Sequence, residues 1–369
     1  MSLYFLMIMC SAGWLLLTTQ KAIRIPGNSN GKILLVAFEI ISIAILMIIY
    51  VLRGPAVGTD YPMYHSFFYF PLDRLRGFGI ENGYLIIYGV AKSLDKFWIV
   101  SLISFVIYFF GFLAFSRKIQ MSLATFESML ILSYLYFTSF NMVRQMSAIG
   151  IIFLGIAVSR LFDLEQPFVL KRKIVFILFV LIAAQFHSSA YVAVIFLFCR
   201  NIHLTPRAAI SGFGMMSIGY FMNLGNSIVP RLMYLFPHYV QKYSLIDNDF
   251  FTTGSKGLIE YLPILIQCVF MIMIISGDQV FFEKQKFICN MYFLYLMFFA
   301  FGGNQAAIRI QDYWSPAMMF FYGAYFESRK DSICHISSKM YKTVVVVFLA
   351  LYIILRLLRN VSNVVPYYI

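Results

Sequence analysis

Charge is scarce in this sequence. Only 12% of its 369 residues are Asp, Glu, Lys or Arg, while 61% are hydrophobic and the mean hydropathy is +0.80. That balance excludes a soluble globular domain. Charge-free apolar runs recur that are long enough to cross about 30 Å of hydrocarbon as helices. The short alternating strands of a β-barrel are missing. Cysteine is sparse too: Cys10, Cys199, Cys268, Cys289 and Cys334 lie in or beside apolar runs with no C-x-x-C pair, so neither a disulfide framework nor a zinc site is indicated. There is no Walker loop or zinc motif, which leaves nucleotide hydrolysis and zinc chemistry without a motif and no cofactor to expect. No basic stretch precedes the first apolar run, so it reads as a retained span and not as a cleaved signal. Internal repeats, low-complexity segments and a second soluble domain are also absent from the pattern.

What is present is an all-α pattern, a polytopic integral membrane helix bundle forming one membrane-embedded domain over 1–369. Apolar runs bounded by Lys and Arg predict about twelve transmembrane segments, near 3–19, 33–51, 97–115, 124–140, 147–161, 174–186, 189–199, 208–222, 259–276, 287–302, 313–327 and 343–358. The net charge of +13 is spread in ones, twos and threes between these runs, which fits topology and not a nucleic-acid partner. Basic clusters at 20–32 (Lys21, Arg24, Lys32), 116–123, 160–173, 200–207 and 329–342 (Arg329, Lys330) are expected on the cytoplasmic side. The N-terminus and the loops 52–96, 141–146, 187–188, 223–258 and 303–312 then face outward, bringing Asp60, Arg144, His187 and Arg309 to one face. The block 174–199 is short for two crossings, but Gln185-Phe186-His187-Ser188-Ser189 breaks it, and broken helices are tolerated where they line a cavity. Residues 82–95 predict a helix too short to span, lying flat on the outer side. The stretch 223–258 predicts a loop with one short helix around 229–242.

Four stretches could carry chemistry. Arg144 lies in F-N-M-V-R-Q-M-S-A-I-G at 140–150, between two apolar runs. An arginine there costs about 3 kcal/mol or more, so it either snorkels to the headgroups or faces a polar cavity or an anion. In V-G-T-D-Y-P-M-Y-H at 57–65, Asp60 follows a Gly-Thr turn with Tyr61 and Tyr64 beside it. A carboxylate framed by rings suits sugar recognition or proton acceptance, the plainer alternative being a turn cap. F-H-S-S-A at 186–190 sets His187 beside two hydroxyls, either as a proton shuttle or as a packing residue. G-G-N-Q-A-A-I-R-I-Q-D-Y-W at 302–314 brings Arg309, Asp312 and Tyr313 to a helix entrance, as a second anion contact or as a local ion pair in an aromatic belt.

With these stretches, and with E-N-G-Y at 81–84, the chain resembles the EpsG-like family of Wzy-type O-antigen and exopolysaccharide polymerases. The resemblance implies an enzyme of the bacterial cytoplasmic (inner) membrane that transfers a glycan from undecaprenyl diphosphate to the non-reducing end of another lipid-linked repeat, without metal or nucleotide sugar. Its partners would be the undecaprenyl-diphosphate-linked oligosaccharide, membrane lipid, a chain-length regulator and a flippase. Carried onto this sequence, Arg144 and Arg309 bind the diphosphate and Asp60 or His187 takes the acceptor proton. Gln145, Tyr61, Tyr64, Glu81, Tyr84, Asp312 and Tyr313 complete the substrate site.

Two other classes compete. A GT-C-type glycosyltransferase using a polyprenyl-phosphate sugar usually places its acidic residue after the first span, often paired, whereas Asp60 follows the second and stands alone. A lipid-linked oligosaccharide flippase commonly shows repeated halves and several charges deep in its helices. Here Glu39 and Glu127 are the clearest intramembrane charges, and the polar inventory gathers on one face.

Overall fold

A computed structural model describes residues 1–19, 29–164, 167, 169–233, 257–302, 304–328, 332–361 and 363–368. Lys21, Arg24, Arg329, Lys330 and the part of the expected 223–258 loop from 234 to 256 lie outside the described residues. The chain is almost wholly helical, as its periodic apolar runs require. In order come α1 (Ser2–Thr19), α2 (Ser29–Val51), α3 (Tyr61–Phe67), α4 (Leu72–Gly77), α5 (Asn82–Ser93), α6 (Trp98–Lys118), α7 (Leu123–Leu132), α8 (Leu135–Thr138), α9 (Val143–Ser159) and α10 (Leu170–Ala184). A 3₁₀ segment, Ser188–Ile195, leads into α11 (Phe196–Cys199), followed by α12 (Pro206–Phe221), α13 (Leu224–Met233), α14 (Leu258–Gly277), α15 (Gln279–Lys284) and α16 (Lys286–Met297). A second 3₁₀ turn, Phe298–Phe301, precedes α17 (Gln305–Gln311), α18 (Pro316–Glu327), a small antiparallel pair of Ser332–Ile333 with Ile336–Ser337, and α19 (Ser338–Leu358).

Every apolar run of the sequence carries helix, but the lengths differ from twelve full spans. Three helices among the described residues are long and apolar enough to cross a membrane: Trp98–Lys118, Glu260–Gly277 and Ser338–Leu358. The remaining apolar helical stretches, among them Ser2–Thr18, Ala37–Val51 within α2, Leu123–Leu132 and Val143–Ser159, are shorter, and local backbone explains part of this. Tyr134 adopts a left-handed conformation (φ +66°) that divides 124–140 into α7 and α8. The 174–199 block breaks at Gln185–His187, where α10 stops and the 3₁₀ segment begins. The short helix expected at 82–95 is α5, Asn82–Ser93.

The chain forms two compact units, Met1–Leu197 with Tyr322–Glu327 and Lys339–Ile369, and Phe198–Phe321 with Ser328–Ser338. In the first, α9 packs extensively on both α6 and α10. Gly111 and Gly150 permit the α6–α9 approach: a Cβ on Gly111 would lie 2.1 Å from the Gly150 carbonyl oxygen, and one on Gly150 2.4 Å from Tyr108 Cα. Small residues at such crossings let helix backbones meet closely. The helices α3 to α5 bury Tyr61, Tyr64, Leu75, Ile80, Tyr84 and Tyr88 in one cluster that also takes in Ile99 of α6 and Val143 of α9. In the second unit, the buried Asn290 amide donates to the carbonyls of Cys199 and Ile202 at 2.8 and 3.0 Å, and Asn304 caps α17 by accepting from the Ala306 and Ala307 amides.

Candidate functional site

Glu81 joins α5 to the stretches at the start of α9 and after α10. It occupies the residue before α5 in extended conformation (φ −69°, ψ 150°), and its carbonyl accepts the Tyr84 and Leu85 amides. Its side chain does not cap α5 and instead reaches three other groups. Arg144 Nη1 donates to Glu81 Oε2 at 2.6 Å. The Ser188 amide donates to Oε1 at 3.1 Å, and His187 Nδ1 lies 3.4 Å from the same oxygen. Backbone pairing reinforces the junction: the Gly83 amide donates to the Gln185 carbonyl at 2.7 Å. A Cβ on Gly83 would stand 2.7 Å from that carbonyl oxygen, so the close approach requires glycine.

The side chains of Glu81, Arg144 and His187 keep 10, 14 and 15% of their exposure, so the cluster is mostly desolvated yet reachable. Burial by itself would raise the Glu81 carboxyl. The His187 contact, the Arg144 charge, the His187 charge and the Ser188 amide together outweigh it and hold the group down at about 2. Glu81 is therefore a permanent anion at neutral pH. It fixes the guanidinium and orients the imidazole, an arrangement in which a carboxylate stabilises an imidazolium formed by proton uptake. Arg144 also lies 5.7 Å from the Tyr64 ring centroid, and its Nε is buried without a hydrogen bond among the described residues.

The tyrosines expected to handle sugar belong to the core cluster of α3 to α6. Tyr61, Tyr64 and Tyr84 are buried, as is Gln145. The Tyr61 and Tyr84 hydroxyls pair with Ser101 and Ser104 Oγ on α6, both at 2.7 Å, and Tyr88 donates to the Tyr64 carbonyl at 2.9 Å. Asp60 stands before α3 and makes no side-chain cap there; its carbonyl accepts the Tyr64 amide. The turn that presents it is tied to the start of α9, because Asn141 Oδ1 accepts from the Thr59 amide. Gly58 is held at φ +109° against Asn141, a conformation that L side chains rarely take. Residues from four separated stretches thus meet around Glu81. Arg309, Asp312 and Tyr313 belong to the second unit: Arg309 lies in the last turn of α17, Asp312 follows that helix, and Tyr313 is fully buried.

Arg53 was not legible as a site residue. It follows α2, is 3% exposed, and stacks its guanidinium 3.7 Å from the Tyr61 centroid and 4.1 Å from that of Tyr50. The available signal was its position: in the expected topology this span end faces outward, where a cation runs against the bias of Lys and Arg toward cytoplasmic loops.

The chain matches no curated protein and no solved structure. It does match the EpsG family over residues 36–369, which takes in α3 to α6, the whole Glu81 cluster and the second unit. This membrane chain therefore belongs to the EpsG family.

Proposed function

We propose that the chain is a polysaccharide polymerase acting at the outer face of the bacterial cytoplasmic membrane, and that the Glu81 cluster is its reaction centre. The acceptor hydroxyl of one lipid-linked repeat attacks the anomeric carbon of the glycan carried by another. The bond from that carbon to the diphosphate oxygen breaks, undecaprenyl diphosphate leaves, and the hydroxyl proton passes to His187. Arg144 faces the leaving diphosphate, where a fixed guanidinium stabilises charge as it develops. Glu81 holds both groups in register, and Asp60 binds acceptor hydroxyls. The twelve-segment topology with an outward N-terminus belongs to the same reading, since it sends the turns at 52–60, 141–144 and 185–188 to one side.

The observation that carries the proposal is the Glu81 bridge, with Arg144 at 2.6 Å and His187 at 3.4 Å. A carboxylate that pairs a phosphate-binding cation with a proton acceptor suits group transfer at a surface more than passage of cargo. Membership of the EpsG family supports the polymerase class. The test is the surface-glycan ladder of a deletion strain complemented with wild type or Arg144→Ala, with membrane levels compared by immunoblot. Loss of the ladder to a single repeat at normal protein level is expected. A full ladder from Arg144→Ala would reduce Arg144 to an anchor, and a full ladder in the deletion strain would end the polymerase reading. A product extended by one sugar would favour a GT-C-type transferase instead.

A further inference from the structure

The reaction proposed above consumes two lipid-linked substrates, and only one of them is cleaved. The second keeps its diphosphate throughout and must be held while its distal sugar reacts. Arg144 accounts for one lipid diphosphate; Arg309, the other arginine expected to bind diphosphate, belongs to the second unit, so within the first unit the other diphosphate has no assigned cation.

A second arginine site lies close by. A cavity of about 210 Å³ is lined by Val51, Leu52, Arg53, Pro55, Tyr61, His65, Phe97 and Trp98, room for roughly seven waters of liquid volume. Arg53 is the charged wall. Its Nη2 donates to the Phe140 carbonyl at 3.4 Å and its Nη1 to that of Tyr50, while its Nε is buried without a hydrogen bond. Among the described residues no carboxylate lies within ion-pair distance of it. Aromatic faces and carbonyls offset part of the cost of burying a cation, but a buried charge is ordinarily matched by an opposite one.

The mouth and the location also fit. Trp98 and Leu52, 43 and 44% exposed, flank the cavity at adjoining ends of α6 and α2, where an indole marks the headgroup level of a span. The half-buried His65 ring packs edge-on against Phe97, centroids 4.8 Å apart, and adds a second nitrogen donor to the lining. On α3, Tyr61 meets Arg53 and Tyr64 meets Arg144, so the two guanidinium groups touch side chains one helical turn apart.

We propose that the Arg53 cavity holds the diphosphate of the second, uncleaved lipid-linked substrate, so that both lipid anchors dock side by side across α3. The inference rests on the polymerase reading but is tested by binding instead of turnover. Full-length protein in phosphatidylcholine nanodiscs is titrated with undecaprenyl diphosphate and the bound stoichiometry is read by native mass spectrometry. Wild type should bind two molecules, and Arg53→Gln and His65→Ala should each weaken the second event by about tenfold or more, leaving the Arg144-dependent event in place. Because His65 is half-buried and makes no backbone contact of the Arg53 kind, it decides the matter if Arg53→Gln fails to fold. Two undiminished binding events in His65→Ala and in any folded Arg53→Gln overturn the proposal, as does a single event in wild type. Displacement of the second molecule by equimolar phosphatidylglycerol overturns it as well, making the cavity a general phospholipid site. In each of these cases the ladder test of Arg144 still stands or falls on its own.

Discussion

Glu81 carries more of the site than any other single side chain. One carboxylate satisfies a guanidinium, an imidazole and a backbone amide that come from sequence positions 63 to 107 residues away. Removing one member of a mostly buried ion pair leaves the other charge uncompensated, typically at a cost of about 3–5 kcal/mol. Glu81→Gln should therefore destabilise the protein by about 3 kcal/mol and abolish the ladder, although glutamine is nearly isosteric. The pH dependence follows from the depressed carboxyl. Its contribution is fully present above the ordinary value of 4.5 and is lost as pH falls from there toward about 2. Scanning fluorimetry of the purified proteins should find the melting-temperature gap between wild type and Glu81→Gln fully present above pH 4.5 and shrinking below it. A gap that persists undiminished as pH falls through 4.5 toward about 2 would mean that Glu81 is not the anion of this cluster.

Among the elements, α9 matters most, because its first turn presents Arg144 and its next turns set how close it lies to α6. At Gly150 a methyl group would collide with the Tyr108 backbone at 2.4 Å, which no rotamer change can relieve. Gly150→Ala should cost about 1–3 kcal/mol as overpacking and shift Arg144 with the helix. Gly111→Ala attacks the same contact, so the double variant should lose less than the sum of the two, as coupled neighbours do. Unfolding in increasing detergent or urea, with the ladder scored in parallel, checks both; additive losses would place the strain elsewhere. The helices themselves were readable, since charge-free apolar runs separated by basic clusters have few other solutions, and the breaks at Gln185–His187 and after 140 were marked by polar residues. Arg144 and His187 stood out for the same reason, as costly groups between apolar runs. Glu81 was visible only as one more polar residue, because its bridging role depends on partners that long-range packing supplies. Arg53 stood at a span end with nothing in the sequence to show that Tyr50, Tyr61 and Phe140 pack against it, and the burial of Tyr61 and Tyr84 against Ser101 and Ser104 could not be told from ring exposure by spacing alone.

At the scale of the whole chain, the first unit is closed by its two extremes. The chain leaves this unit after Leu197 and returns to it for good at Lys339, and the stretch after α19 then crosses the turn that carries Arg53 and Asp60. The Tyr368 carbonyl accepts the Gly54 amide at 2.6 Å and the Asn363 carbonyl accepts the Gly58 amide at 2.8 Å. Tyr4 of α1 donates to the Val364 carbonyl at 3.0 Å across 360 residues, Tyr134 donates to Val361 at 2.5 Å, and the Tyr367 hydroxyl donates to Ile49 at 3.0 Å. Each such bond is worth about 0.5–1.5 kcal/mol, so together they can decide whether an irregular turn holds one conformation. Removing residues 361–369 should leave the helices inserted but release the turn at 52–60. Gly54→Ala should reproduce the effect in the full chain, since its Cβ would lie 2.3 Å from the Tyr368 ring. Hydrogen exchange of membrane-reconstituted protein should rise in peptides covering 52–60 while those from α9 stay protected, and the glycan ladder should shorten or vanish. Unchanged exchange at 52–60 in both variants would mean that the tail merely rests on a turn whose order comes from Asn141 and the α3 core.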